Sequence, residues 1–260
     1  MSWFGDDGIE IDERPRETVA EGVVLERRSL LRLSASAVAA GLLGAACASP
    51  SRKLGVTGLA DPGPAPPGML EIEELLAEMF PRAVDFVAAG GVQEEAYLMR
   101  VGELLSRLST PEPARVKTAM NAVAQDRHPS REFIEMWVLH FDLQPGQGFS
   151  HHDHRDYNGV ILGLGGELHA RNYDILGDEL VPPSGQSFRI RQTRDDLILP
   201  GRFSSLGSTR ENVHEVVAGP QGAKLLDVFT YLAPGARSYF MDVDPEPVDA
   251  ERQIFEAAWA

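Results

Sequence analysis

Cysteine is all but missing from this chain, and the single Cys47 excludes both an intrachain disulfide and a thiolate cluster around a metal. Basic residues are scarce as well. Against 39 Asp and Glu stand 24 Lys and Arg, a formal net charge of -15. That balance argues against a nucleic-acid or anionic-membrane surface, because phosphate is bound by clustered Lys and Arg. Residues 33–46 form an uncharged run rich in Ala and Leu, too short and too mild for a comfortable membrane span. There is no Ser-His-Asp arrangement with an elbow glycine pattern, no phosphate loop, no dinucleotide fingerprint and no internal repeat. What is present is 260 residues, 43% of them hydrophobic, enough to bury one good-sized core in one domain or two small ones.

The first 48 residues read as an export signal with an acidic extension. Arg27 and Arg28 precede the short apolar run, and small residues follow it, the order of a secretory signal. The run Arg27-Arg28-Ser29-Leu30-Leu31 looks like a twin-arginine signal, a route that carries proteins already folded. Two cuts are open. Ala46-Cys47-Ala48 fits a small-x-small site that releases a soluble protein, whereas 43–47 resembles a degenerate lipobox that would leave Cys47 as a lipid-bearing N-terminus. The expected location is the periplasm or cell envelope, with Cys47 as the one route to a membrane. Residues 49–68 are Pro- and Gly-rich and read as a linker.

One domain is expected over 69–260. Residues 69–125 carry helical spacing: a first helix ending near Phe80 because Pro81 follows, a turn at Gly90 and Gly91, a clearer amphipathic helix over 94–108, and another from Pro113 through Val123. These read as packing helices without chemistry. From Phe133 to Val243 the period falls to about two, in short segments bounded by Gly, Pro, Asn and Asp, which points to an all-β sandwich or barrel. Gly165-Gly166 suggests a hairpin turn, and Asp195 and Asp196 look like turn residues before a strand. A final helix is expected over 249–259.

The chemistry is concentrated at 146–170. His152 and His154 have i, i+2 spacing, so in an extended segment both can turn onto one ion while Asp153 turns away. His214, at the start of a late strand, is the expected third ligand. Three imidazoles without a carboxylate would hold a divalent borderline ion and leave coordination positions open, as catalysis requires. A solvated His-rich loop would explain neither the apolar strand beyond it nor the lone His at the matching later position. His151 reads as a supporting or exposed residue, His140 and His169 as strand residues, and His128 as a loop residue.

These residues resemble a family. Gly146, His152, His154 and Gly165 fit the first cupin motif, G(X)5HXH(X)3,4E(X)6G, except that the Glu position is Asn158 or Gly159. The loss of that carboxylate resembles the thiol dioxygenases, the cysteine dioxygenase and cysteamine or N-terminal-cysteine oxidase group, whose mononuclear iron is held by three histidines. The resemblance spans roughly 69–243. It implies a mainly β fold, the cupin double-stranded β-helix or jelly-roll barrel with N-terminal packing helices. It also implies a single Fe(II) on His152, His154 and His214, no organic cofactor, and oxidation of a small thiol or N-terminal cysteine by O2 to a sulfinic acid.

Departures from the family pattern are equally readable. Gly159 stands where animal cysteine dioxygenases carry a cross-linked cysteine, so that cross-link cannot form. Asp227 is similar to the Asp of the plant and cysteamine-type enzymes. Phe229 occupies the place of the cysteine dioxygenase tyrosine, and Tyr231, two residues on, either reaches the site from the next layer or packs. Arg127 and Arg131 are candidates for the missing carboxylate-binding arginine, and Tyr157 and Arg155 either line the mouth or form a polar rim. The reading is therefore a monomeric exported enzyme with Asp227, Tyr231 and Tyr157 as its catalytic side chains, its thiol undecided. Rival readings are a non-catalytic envelope cupin binding a metal or small ligand, and another cupin oxygenase or isomerase; three imidazoles also suit zinc, copper and nickel.

Overall fold

Two long bent strands, twenty and nineteen residues, run antiparallel through the centre of the domain and position everything the site needs. A computed structural model of the chain describes residues 69–127, 133–177 and 186–260. The expectations for residues 1–68, including both cuts near Cys47, and those for His128, Arg131 and the Arg127 side chain lie outside the described residues.

Three helices come first: α1 (Ile72–Ala88), α2 (Glu94–Leu105) and α3 (Pro113–Arg127). The α1 helix begins in a capping box between Glu71 and Glu74, and it does not end at Phe80. It continues through Pro81, whose missing N–H and ring cost about 3 kcal/mol in a helix interior. The burial on both sides of the proline outweighs that: Leu75, Leu76, Met79, Phe80, Ala83 and Phe86 all pack inward, at roughly 1.5–3 kcal/mol for each large side chain. Gly90 and Gly91 then take φ of 72° and 73°, as the expected turn demands.

The strands form one antiparallel sheet: β1 (Met136–Leu143), β2 (Gly148–Asp153), β3 (Tyr157–Leu176), β4 (Ser187–Ile198), β5 (Phe203–Leu206), β6 (Val213–Tyr231), β7 (Met241–Val243) and β8 (Ile254–Trp259). The fold is mainly β with packing helices ahead of it, the jelly-roll arrangement expected from the sequence. The strand order is β1-β6-β3-β4-β8-β7, with β2 also on β6 and β5 also on β3. Val138, Val160, Leu162, Leu226 and Val228 pack on the helices, while the opposite face, with Ile161, Leu168, Ala170, Val216 and Leu225, forms a second core inside the sheet. Alternation along each strand separates the two.

Four expectations are corrected. Gly165-Gly166 is not a hairpin turn but an interruption within β3, where the pairing with β6 shifts register. Gly166 takes φ of 67°, and a Cβ there would lie 2.1 Å from the Gly222 carbonyl oxygen, so the two central strands can cross at this bulge only because the position is glycine. Asp195 and Asp196 are strand residues of β4, not turn residues; Asp196 accepts the Ser204 hydroxyl at 2.7 Å on one face and Asp195 lies 3.6 Å from Arg171 on the other. Residues 249–259 do not form a helix, and the sheet consequently extends beyond Val243. Asp249 caps a turn, accepting the Arg252 N–H at 3.0 Å, and β8 then inserts between β4 and β7. Two strand partners and the burial of Ala257 beside Phe255 and Trp259 override the helix propensity of Glu-Ala-Ala.

Candidate metal centre

The register of β2 on β6 sets His152 directly opposite His214, so both rings leave the sheet on the same side. His154 follows at the end of β2, its N–H held by the Asn212 carbonyl at 2.7 Å. One ring nitrogen from each of the three lies within 4.8 Å of the others, and the ring centroids are 4.5, 4.7 and 5.3 Å apart. All three are buried. Among the described residues no acidic side chain joins the cluster, and neither His140 nor His169 does. The expected three-histidine set is therefore brought together.

Burial shapes the protonation of these rings. It pushes the His152 pKa down to about 4, against the opposing pull of its bond to the Ser150 carbonyl. Burial first, and the neighbouring imidazoles second, hold His154 and His214 well below the ordinary histidine range. Neutral rings present lone pairs, the form that binds metals. His152 Nδ1 donates to Ser150 O at 2.8 Å, so its Nε2 is the free donor atom, and that atom faces His214 Nε2 at 3.0 Å. Both ring nitrogens of His154 are buried without a hydrogen-bond partner. An unsatisfied buried polar atom costs about 1–3 kcal/mol, which a cation held by the three rings would offset. The residues fit a mononuclear divalent ion.

The absent carboxylate is now localised. Asn158 turns toward the helices and donates to Glu94 Oε1 at 2.9 Å. Gly159 faces the site, since a Cβ there would meet His154 Cε1 at 3.4 Å and Leu206 Cδ2 at 3.3 Å. The gap in the motif is therefore at Gly159, immediately beside a ligand ring.

Of the remaining candidates, Tyr157, Asp227, Phe229 and Tyr231 fall on the ligand side, and Arg155 and His151 do not. Tyr157 does not line a mouth: it is 5% exposed and stacks on His154, centroids 4.1 Å apart and planes 25° apart, with its hydroxyl bonded to Ser238 Oγ. Phe229 lies 6.1 Å from the His154 ring, and Tyr231 contacts Tyr157 and Phe229 at 5.6 and 6.4 Å, one layer behind the ligand. Burial raises the hydroxyl pKa of Tyr157 and of Tyr231, reinforced at both by Asp227. Asp227 is opposite Ile161 and Leu139 in register, 4% exposed, its pKa pushed up to about 8 by burial and its Oδ1 without a hydrogen-bond partner. Arg155 does not stand open at a rim; its guanidinium lies 3.4 Å from Asp153 and over the Tyr239 and Trp259 rings. His151 points to the opposite face from His152, half-buried against the Tyr173 hydroxyl at 3.2 Å.

What sequence reading missed is the segment 238–240, which touches Tyr157, Asp153 and His152. Its signal was faint: alternating Ser-Tyr-Phe just before a short strand.

No protein-family model matches this chain, and no curated protein does. Among solved structures it is similar to the coconut allergen cocosin (16% identity, TM-score 0.33, 45% of this chain and 26% of that one). It is also similar to procruciferin, the 11S globulin of Brassica napus (14%, 0.32, 42% and 24%), and to recombinant oxalate oxidase in complex with glycolate (20%, 0.29, 41% and 46%). The chain thus spans about a quarter to under half of the length of these proteins, and its function has to be read from the geometry of its own site.

Proposed function

We propose that this chain is a cupin-type thiol dioxygenase that takes Fe(II) on His152, His154 and His214 and converts a small thiol, or an N-terminal cysteine, to a sulfinic acid. The observation that carries the reading is the buried three-imidazole cluster with glycine, not a carboxylate, facing it at position 159. Held by three neutral rings, the ion would keep its charge and, when bound, would supply thiol deprotonation and the activation of O2. The reaction balances without a reductant: both oxygen atoms bond to sulfur, sulfur gives up the four electrons that dioxygen accepts, and the thiol proton is released.

The chain's own residues do the rest. Phe229, 6.1 Å from the His154 ring, and Leu206, which shares the space beside Gly159 with that ring, give the site apolar neighbours that exclude water. Tyr157 backs the His154 ring. To the Asp227 carboxyl, on the inner face with an unused oxygen, we assign the bond to a polar group of the substrate. Export by the twin-arginine route, with or without a lipid at Cys47, and a monomeric state complete the reading.

Protein purified without air and loaded with iron is expected to consume O2 when given one of cysteine, cysteamine, 3-mercaptopropionate or a peptide beginning with Cys, with a sulfinate as product by mass spectrometry. Bound iron with no oxygen uptake across that panel sinks the thiol reading and leaves the two rivals, a non-catalytic envelope cupin and another cupin oxygenase or isomerase.

A further inference from the structure

The ligand strand β2 has β6 on one edge and, on the other, a strap formed by Ser238, Tyr239 and Phe240 just ahead of β7. Three successive strap residues each meet a residue that is a ligand or adjoins one. Phe240 bridges His152 through the backbone, and its ring lies 5.3 Å from the imidazole. Tyr239 N–H donates to Asp153 Oδ1 at 2.7 Å, and Asp153 N–H donates to the Tyr239 carbonyl at 3.0 Å. Ser238 bonds the hydroxyl of Tyr157, whose ring covers His154. The strap is itself tied down, since Ala260 N–H donates to the Phe240 carbonyl at 3.0 Å.

Asp153 is the residue between the two ligands, and it is completely buried. Its side chain, held by the Tyr239 N–H and 3.4 Å from the Arg155 guanidinium, adds to the backbone bonds that anchor 152–154, and an extended chain fixes the direction of each neighbour once the middle residue is anchored. His154 has no hydrogen-bond partner on either ring nitrogen. Metal-binding histidines are ordinarily oriented through the nitrogen that does not bind the ion, and here that role passes to the stacked Tyr157.

We propose that the C-terminal strap sets the geometry of the metal centre, with Asp153, Tyr157 and Ser238 as positioning residues. Asp153 acts through the acceptor oxygen that receives the Tyr239 N–H, and the Tyr157–Ser238 pair acts through the ring it holds against His154. The inference rests on the metal-binding half of the proposed function and on none of the thiol chemistry.

Cobalt(II) alone is the probe, titrated into the full chain while its visible bands report ligand geometry. Asp153→Ala is expected to weaken cobalt binding about 10–100-fold, the range typical for loss of a supporting partner, and to move the bands. Asp153→Asn, which keeps an acceptor oxygen for the Tyr239 N–H and loses only the charge facing Arg155, is expected to bind cobalt more tightly than Asp153→Ala and to return the bands toward wild type. Tyr157→Phe and Ser238→Ala each break one hydroxyl contact, so each is expected to shift the bands equally, and the double variant no further than either. Partial unfolding would lower the band intensity without moving the bands. Wild-type binding and bands in a folded Asp153→Ala protein, an Asn variant as impaired as Ala, or additive hydroxyl effects would each overturn the proposal. Should Asp153→Ala not fold, the hydroxyl cycle decides. If the wild-type chain binds no cobalt, the metal reading itself fails, a separate result.

Discussion

Asp227 shows how a single buried group ties the site to pH. Its pKa is raised from 3.8 to about 8 by burial, so the folded chain keeps the proton that the unfolded chain has already lost above about pH 4. Between those values this carboxyl binds more proton in the folded state than in the unfolded one, and its own contribution to stability falls as pH rises, by at most about 1.4 kcal/mol per pH unit, levelling off beyond about 8. Asp227→Asn has no such proton to lose. The buried histidines, neutral in the folded chain, work the other way below about pH 6.5, but equally in both proteins. Urea unfolding of the metal-free protein at pH 5 and pH 8 should therefore show the wild-type chain losing stability relative to Asp227→Asn, and an identical pH dependence of the two would place the effect elsewhere. At the same scale, two residues beside each other in sequence serve opposite faces: Asn158 secures the helical layer through Glu94, while Gly159 leaves room beside His154.

Among elements, β2 is the one on which the site depends most, and its glycines differ in kind. Gly146, the first glycine of the motif, takes φ of 72° in the preceding turn with nothing near its missing Cβ. Gly148 has an ordinary φ, yet a Cβ there would stand 1.9 Å from the Val216 carbonyl oxygen on β6. The motif glycine needs a conformation, whereas the second needs space. Alanine at 146 should cost about 1–2 kcal/mol of backbone strain. Alanine at 148 should cost up to about 3 kcal/mol and also weaken metal binding, because it pushes the strand carrying His152 off the strand carrying His214. Denaturant midpoints paired with cobalt titrations rank the two, and the reverse order would mean that β2 can move without disturbing its ligands. In α1, Pro81 is the converse case, a local rule overridden because both flanking turns are buried.

For the molecule as a whole, a ligand set drawn from two strands sixty residues apart makes metal binding a contribution to folding. An ion present at a hundred times its dissociation constant should add about 2.7 kcal/mol. For a domain of this size that corresponds to a rise in melting temperature of about 5–10 °C. His214→Ala should abolish most of that rise in a calorimetric scan with and without iron; an unchanged rise would mean the third ligand is another residue. The histidine pair and its missing carboxylate were legible in the sequence because i, i+2 spacing is local geometry, and so were the helices ahead of the barrel and the switch to a period of two. His214 could be matched to the pair because a lone histidine opened a late β-rich segment. The C-terminal strand was not legible: Ile254–Trp259 has helix-forming composition, and only its two neighbours, β4 and β7, make it a strand. The strap over Asp153, the burial of Tyr157 and the continuity of β3 through Gly166 were decided the same way. By itself the sequence determined which side chains could bind a metal, since that depends on residue type and on spacing along one strand. Only the tertiary structure decided what holds them in place, because the groups that do so come from segments distant in the chain, brought alongside by pairing and burial that no local pattern encodes.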